Sequence, residues 1–329
     1  MPDLKTSYMG LQLKNPIIVG SSTLTDTPEK IKALADNGAS AVILKSLFEE
    51  EVRNMNESSR CCNYHPEAYY YDMSDAGMLY GISDYLQLIR DAKSATDMPV
   101  IASICCETSE WWSTYPDRIA EAGADAIELN INMISTDAMR SPIENLQETM
   151  SIIDTVKNST DIPFSVKISP YCCSIPYLVN VLKEAGAHGV ALFSRLFKMG
   201  INLDDFQLEP ASYYSSPLET YKVLRWINIV AKQVDIDICG NTGIHTSKEI
   251  LQHLIAGASA VQMVSSIYQN GPEIIKKSLE EIEDFMFEKQ FANLDEMKGF
   301  LCKKDKDFDL MYFNSLTHDR FQLESGMSE

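Results

Sequence analysis

Polar side chains that could do chemistry recur at alternate positions of several short apolar segments. In AIELNI, which begins at Ala126, Glu128 and Asn130 alternate with isoleucine and leucine, and in FSVKI Lys167 lies between valine and isoleucine. Successive side chains of a β-strand point to opposite faces, so these polar residues share one face of their strands. Buried charges are costly unless a partner meets them. The pattern therefore predicts that these residues line a binding site or pair with one another.

Two lysines allow two interpretations of these polar residues, an internal ion pair or a bound ligand. Lys45 ends a second apolar segment, AVILK, and Lys167 is the last residue but one of FSVKI. An ion pair of Glu128 with either lysine would satisfy the charges without a ligand. The other alternative is a ligand that meets the lysines. Because residues 239–275 also contain a glycine turn and a helix start that suit a phosphate, a ligand with a phosphate tail and an electron-accepting head is indicated, and flavin mononucleotide (FMN) is the simplest candidate. In that case Lys167 would tune the bound ring rather than react.

A candidate phosphate-binding segment covers residues 239–275. It has the pattern of a strand, a glycine turn, a helix, a second strand and the start of another helix. Free backbone N–H groups at a helix N-terminus suit a phosphate. We expect Gly240 and Gly243 to let the backbone approach the ligand. Ser265 and Ser266 end the second strand and would add hydroxyl groups.

The elements that must position these residues form a regular repeat of two alternating halves. In one half a helix ends in Gly-Ala before an apolar strand, and in the other a polar turn precedes the strand. The first kind begins at Gly38, Gly123, Gly186 and Gly257, and the second at Lys14, Thr96, Thr160 and Val234. The repeat predicts an α/β fold, a (β/α)8 TIM barrel. An open doubly wound sheet is the alternative.

In such a barrel, functional side chains point inward near the C-terminal ends of the strands. The alternation predicts the following inward residues: Lys45, Ser103, Cys105, Glu128, Asn130, Asn132, Ser165, Lys167 and Ser169. Residues 4–15 predict an N-terminal β-hairpin that closes the barrel bottom. Long loops follow the second strand, at residues 48–82, and the sixth, at 196–216. We interpret the first of these loops as a lid over the site.

Composition narrows the class of protein. The 329 residues, 45% of them hydrophobic, fit one barrel domain over residues 1–301 and an extension over 302–329 whose end is expected to be disordered. The net charge of −19 argues against nucleic acid and anionic membranes as partners. Neither a signal peptide nor a membrane span is indicated, so we predict a cytoplasmic protein that could form a homodimer.

The cysteines predict neither disulfides nor a metal site. Eight cysteines without a signal sequence are expected to be reduced thiols. Three vicinal pairs, which begin at Cys61, Cys105 and Cys172, lack the spacing of a chelating site. No metal is therefore expected.

Five segments resemble the dihydroorotate dehydrogenases, a family of FMN-containing barrels, and especially their soluble class 1 branch. The segments are LKNPIIVGSSTL, AVILKS, AIELNIN, VKISP and GNTGI…GASAVQMVSSIYQNGPEI, and they occur in the order of the family. The resemblance extends over about residues 4–275. It implies that FMN is surrounded by Gly20, Ser21, Lys45, Asn130, Lys167, Thr242, Gly243 and Ser265, to which we add Ser266.

The substrate side departs from the pattern of the family. Met133 stands where the family has the Cys or Ser that takes a proton from dihydroorotate, and Ser135 stands where it has a pyrimidine-binding Asn. Phe193-Ser194, followed by Arg195, replaces an expected Asn-Ser pair. We predict that Asn132, Ser135, Phe193 and Arg195 contact the substrate. The candidate catalytic residues are Lys45, Ser135 and Cys105.

These observations predict an FMN-dependent oxidoreductase acting on CH–CH groups. It would move a hydride between the flavin N5 and a small planar substrate, and we do not expect that substrate to be dihydroorotate. A lysine Schiff-base lyase with a phosphorylated substrate would also use inward lysines and a phosphate site. A flavin-binding protein without catalysis is the third hypothesis.

Overall fold

The strands and helices of the repeat fold into a closed parallel barrel. The computed structural model of the protein describes residues 2–49, 82–105, 109–131, 137–195, 198–210 and 212–304. Its strands are β1 (Thr6–Tyr8), β2 (Leu11–Leu13), β3 (Ile17–Val19), β4 (Ala41–Ile43), β5 (Leu47–Phe48), β6 (Val100–Cys105), β7 (Ala126–Ile131), β8 (Phe164–Ile168), β9 (Gly189–Leu192), β10 (Met199–Ile201), β11 (Leu208–Pro210), β12 (Asp237–Asn241) and β13 (Ala260–Met263). The parallel strands follow the order β4-β3-β13-β12-β9-β8-β7-β6, and pairing of β4 with β6 closes the ring. The predicted TIM barrel is confirmed, and the open sheet is excluded.

Helices surround the barrel, and all eight predicted ones are present. They are α1 (Pro28–Asp36), α2 (Ile82–Ala95), α3 (Ser109–Glu121), α4 (Pro142–Ser159), α5 (Ile175–Ala185), α6 (Thr220–Gln233), α7 (Ser247–Ala256) and α9 (Glu273–Glu288), with the shorter α8 (Ser265–Asn270), α10 (Leu294–Met297) and α11 (Phe300–Lys304). Local sequence sets their starts. At α4, for example, Ser141 and Glu144 exchange hydrogen bonds in a capping box, which satisfies free N–H groups of the first turn. In the described part of the chain, no helix combines the length and the apolar character needed to cross a bilayer.

Side chains along the barrel strands alternate between two environments. Those facing the helices form one large apolar cluster, which includes Val42, Leu129 and Val166. The residues between them are buried on the other face: Lys45, Ser103, Cys105, Glu128, Asn130, Ser165, Lys167 and Ser169. Their burial agrees with the predicted inward orientation, and contacts between strands support it for Ser103, Glu128, Asn130 and Lys167. Asn132 lies outside the described residues.

The predicted N-terminal hairpin is also confirmed, and it closes the bottom of the barrel. Strands β1 and β2 pair antiparallel, and Met9 and Gly10 form the turn at φ 54° and 78°, as a two-residue turn of this kind requires. Tyr8, Met9 and Leu13 pack in one cluster with inward residues of the barrel strands: Ile18, Ala41, Ile43, Ile101, Ala126, Ala191, Cys239 and Ala260. The lower interior is therefore filled, and the upper interior is left to polar residues.

The predicted loops and domain boundary are described only in part. Of the proposed lid, residues 50–81 lie outside the described residues. The loop at 196–216 contains an antiparallel hairpin of β10 and β11. Helix α11 crosses the predicted boundary after residue 301, and Cys302 Sγ donates to Ala256 O at 3.4 Å. Cys302 therefore contacts the barrel, and the boundary after residue 301 stays a prediction.

A buried histidine fills the contact between α7 and β12. A Cβ on Gly240 would lie 2.2 Å from His253 Cδ2, so the glycine makes room for the imidazole ring. This corrects the expectation that Gly240 opens the backbone to a ligand. The nitrogen His253 Nδ1 lies 2.7 Å from Glu249 O. Burial lowers the pKa of His253 to about 4, so the ring is neutral in the folded protein at neutral pH.

We predict that His253 contributes to the acid sensitivity of the fold. Its folded pKa lies below the unfolded value, so the unfolded state gains the proton first as the pH falls. Stability should be fully present above about pH 6.5 and decline toward about pH 4, by roughly 3 kcal/mol from this residue. Urea unfolding between pH 7 and 4.5 measures the decline, which His253→Gln should reduce. The exposed His188→Gln serves as the control and should leave it intact. An unchanged decline in His253→Gln would contradict the assignment.

Candidate active site

Three hydroxyl groups join the ends of neighbouring strands at the top of the barrel. Ser46 Oγ lies 3.0 Å from Ser21 Oγ and 2.7 Å from Ser103 Oγ. Behind them, Tyr85 OH donates to Ser103 O at 3.0 Å and accepts from Ser103 N at 2.8 Å. Ser21 was predicted in the site, whereas Ser46 was not. Its position directly after the inward Lys45, at a strand end, was the available signal. The chain of hydroxyls fixes the side of the site formed by β3, β4 and β6.

An ion pair lies deeper in the same interior. Glu128 Oε1 is 3.5 Å from Lys167 Nζ, and Glu128 Oε2 accepts from Gln262 Nε2 at 2.6 Å. The side chain of Glu128 is wholly buried, whereas that of Lys167 is 10% exposed. The ion pair foreseen from the sequence is therefore present. It joins a carboxylate in the core to an ammonium group nearer the open end of the barrel.

The next strand pair places a serine beside Asn130. Ser194 Oγ donates to Asn130 Oδ1 at 2.9 Å, and Ser194 N donates to Ile168 O at 2.9 Å. Phe193, which we predicted to contact the substrate, instead packs its side chain in the helix-facing apolar cluster. Its carbonyl accepts from Asn241 Nδ2 at 3.1 Å. The side chain that contacts Asn130 is therefore that of Ser194, one position after Phe193.

The turn after β12 is held in a conformation that favours glycine. Thr242 has φ 75°, which is unfavourable for a β-branched residue. The contact of Thr242 N with Asn241 Oδ1, at 2.7 Å, fixes this geometry. The Thr242 amide is thus occupied by the protein itself.

A segment that we call the strap, residues 212–216, lies against the predicted phosphate-binding loops. Ser215 N donates to Ser265 Oγ at 3.0 Å, and Ser215 Oγ lies 3.2 Å from His245 Nε2. A Cβ on Gly243 would lie 2.5 Å from Thr220 N and 3.0 Å from the carbonyl oxygen that ends the strap. The tight contact at Gly243, expected with a ligand, is therefore made with the backbone that follows β11.

Arg195 anchors the strap. Its guanidinium donates to three consecutive carbonyls, those of Ser212, Tyr213 and Tyr214, at 3.3, 3.1 and 2.9 Å. It also lies 3.5 Å from Glu219 Oε2. We had predicted that Arg195 contacts the substrate. These contacts hold the guanidinium to the strap, and a substrate contact of Arg195 stays a prediction.

The remaining predicted residues have the following positions. Gly20 N donates to Met263 O at 3.1 Å, where β3 meets β13. Lys45 and Ser266 are buried, and Cys105 ends β6 with 8% of its surface exposed. Ser135 lies outside the described residues, as do Asn132 and Met133. The structure thus brings the described candidates to one end of the barrel.

Within the same described ranges, no cluster of three His, Cys, Asp or Glu side chains could hold a metal ion. Five cysteines lie in those ranges and form no disulfide: Cys105, Cys172, Cys173, Cys239 and Cys302. Burial raises the pKa of Cys239, which lies inside the barrel.

A closed barrel with polar side chains collected at the C-terminal ends of its strands is the architecture of a barrel enzyme. The family model for dihydroorotate dehydrogenase matches residues 3–286. The chain therefore belongs to the dihydroorotate dehydrogenase family, a family of oxidoreductases. This membership favours the oxidoreductase over the lyase hypothesis.

Individual relatives agree with the family match. The chain is 26% identical over 302 residues to a dihydroorotate dehydrogenase B (NAD(+)) catalytic subunit of Thermoplasma acidophilum, covering 91% of this chain and 99% of that protein. The protein of the same name from Pyrococcus abyssi is 26% identical over 315 residues, 91% of this chain and 99% of the relative. That from Methanocaldococcus jannaschii is 27% identical over 306 residues, 90% and 97% respectively.

We predict that Arg195→Lys loosens the strap. A lysine cannot reproduce the donation to three carbonyls, and losing hydrogen bonds of a charged donor costs about 1.5–3 kcal/mol. Hydrogen exchange at the Ser215 amide should become at least about tenfold faster, because the strap opens more often. Lys198→Met is the matched control, since the Lys198 ammonium pairs with Glu219 at 2.9 Å. Equal exchange in the Arg195 variant and the unmodified protein would contradict this role.

Proposed function

We propose that the protein is an FMN-dependent oxidoreductase whose substrate is a small planar or carbonyl-conjugated molecule other than dihydroorotate. The observation that supports the proposal is the burial of Lys45, Asn130 and Lys167 at or just after the C-terminal ends of barrel strands in a chain of the dihydroorotate dehydrogenase family. FMN, when bound, would supply the chemistry by exchanging a hydride at its N5 with the substrate.

Residues at the C-terminal end of the barrel strands suit both the ring and the phosphate of FMN. Ser21, Lys45, Asn130 and Lys167 would surround the ring. The Lys167 ammonium lies near the open end of the interior, where a cation favours a reduced and negatively charged ring. The phosphate would be held by backbone N–H groups of Gly243, Ser265 and Ser266, because the Ser265 hydroxyl and the Thr242 amide already have protein partners.

A proton must also leave or reach the substrate, and a base within hydrogen-bond reach has to hold it. We propose Cys105 or Ser135 for this role, and Lys45 for orienting the substrate and the ring. Cys105 is the last residue of β6, two positions after Ser103, and 8% of its surface is exposed. Met133, which stands at the position of the family base, cannot take a proton. Asn132 would hold the substrate from the same loop.

The cofactor proposal predicts a yellow protein. The apoprotein should gain stability on adding FMN, by about 2.7 kcal/mol when FMN exceeds its dissociation constant a hundredfold. Lys167→Ala should bind FMN more weakly or make it harder to reduce, because the adjacent cation is lost. Visible absorbance, thermal unfolding with and without FMN, and anaerobic reduction measure these effects. A protein without flavin that saturating FMN does not stabilise would refute the proposal.

The substrate proposal predicts slow or no reduction by dihydroorotate. For dihydroorotate, loss of the family's base at position 133 alone should reduce the rate on the order of 10² to 10⁴. Each polar group of the substrate left unpaired costs about 1–3 kcal/mol more. Met133→Cys alone should not restore turnover, because Ser135 still replaces the pyrimidine-binding Asn. The measurement is the bleaching of the flavin after anaerobic mixing with dihydroorotate. Rapid bleaching of the unmodified protein would show that another residue supplies the base.

A further inference from the structure

Glu128 is a buried carboxylate for which the proposed reaction has no role. It lies on β7 two residues before Asn130, with none of its surface exposed. The two oxygens of its carboxylate have separate partners, Lys167 Nζ at 3.5 Å and Gln262 Nε2 at 2.6 Å. Since these partners come from β8 and β13, the carboxylate is held between neighbours on different strands and cannot turn away from the lysine.

The two charges of this pair differ in their access to the upper site. The Lys167 side chain is 10% exposed and the Glu128 side chain is not exposed at all. Lys167 is in register with Asn130, two residues beyond Glu128 on β7, so the lysine lies on the side of the carboxylate that is toward the place proposed for the ring. In an interior of low polarity the field of each charge extends over several ångströms. A group bound above Lys167 would experience the cation with its field partly offset by the anion behind it.

We propose that Glu128 is a positioning residue that holds the Lys167 ammonium and offsets its charge, so that the pair, rather than the lysine alone, sets the redox potential of the bound flavin. This inference rests on the proposed function. A cation near the ring favours the reduced flavin, and an anion favours the oxidised flavin. The unmodified protein should therefore have a potential between those of variants that lose one charge or the other.

The signs of the two effects separate this role from a structural one. Lys167→Met leaves the carboxylate and should lower the midpoint potential. Glu128→Gln removes the negative charge, keeps an oxygen that can accept from Gln262, and should raise the potential. A carboxylate needed only for packing would reduce flavin content without moving the potential of the flavin that remains bound.

The experiment is an anaerobic redox titration of the flavin-loaded protein and its variants. For Glu128→Gln we expect the ratio of reduced to oxidised flavin at a fixed potential to rise about tenfold, ~30 mV for a two-electron couple. For Lys167→Met we expect a shift of similar size in the opposite direction. Asp237→Asn is the matched control, because Asp237 lies on β12 and binds Ser259 Oγ at 2.7 Å and Met9 N at 2.9 Å at the barrel bottom. It should leave the potential unchanged.

Glu128→Asp extends the test if the glutamine variant does not fold. It keeps the charge but withdraws the carboxylate by one methylene, so the potential should rise by less than in Glu128→Gln. An unchanged or lowered potential in the Glu128 variant that folds overturns the inference. If flavin binds and only Lys167→Met moves the potential, this inference fails and the proposed function stands. If the unmodified protein binds no flavin, both fail.

Discussion

Closure of the sheet is the constraint on which the rest of this structure depends. The pairing of β4 with β6 leaves the eight-stranded sheet without a free edge. Every barrel residue must therefore face either the helices or the interior. An interior enclosed by eight strands has room only for side chains. The inward side chains of different strands must therefore pack against one another. Apolar residues fill the lower interior, and the charged pair of Glu128 and Lys167 lies above them.

The bottom of the interior is filled by the N-terminal hairpin. Tyr8 enters among alanines, and a Cβ on Gly189 would lie 2.9 Å from Tyr8 Cε2. Burial raises the pKa of the Tyr8 hydroxyl, so the phenol stays neutral. The hairpin excludes water from the bottom of the barrel. The ion pair of Glu128 and Lys167 therefore lies between the apolar side chains below it and the polar site above it. Charges in such a position are weakly screened, which is why their arrangement matters for any group bound above them.

The strap links the sixth strand to the loops after the last two. Arg195 holds its carbonyls, and Ser215 bonds to Ser265. The same serine approaches His245, so the segment bridges three loops that are distant in sequence. Gly243 is needed for the backbone that follows the strap as much as for any ligand. A loop fixed in this way preorganises one wall of the site, because its ordering does not have to be achieved when a ligand binds.

The sequence by itself determined the barrel, the bottom hairpin and the inward set of polar residues, because alternation and the Gly-Ala repeat are local patterns with direct geometric meaning. It also foresaw that Glu128 would have a lysine within reach, but not which one. Only the tertiary structure showed that Lys167 is the lysine that pairs with Glu128. It also showed that Ser194 contacts Asn130 and that Arg195 binds the strap. These outcomes depend on contacts between residues tens of positions apart. Strand register and loop path decide such contacts, and neither follows from local spacing.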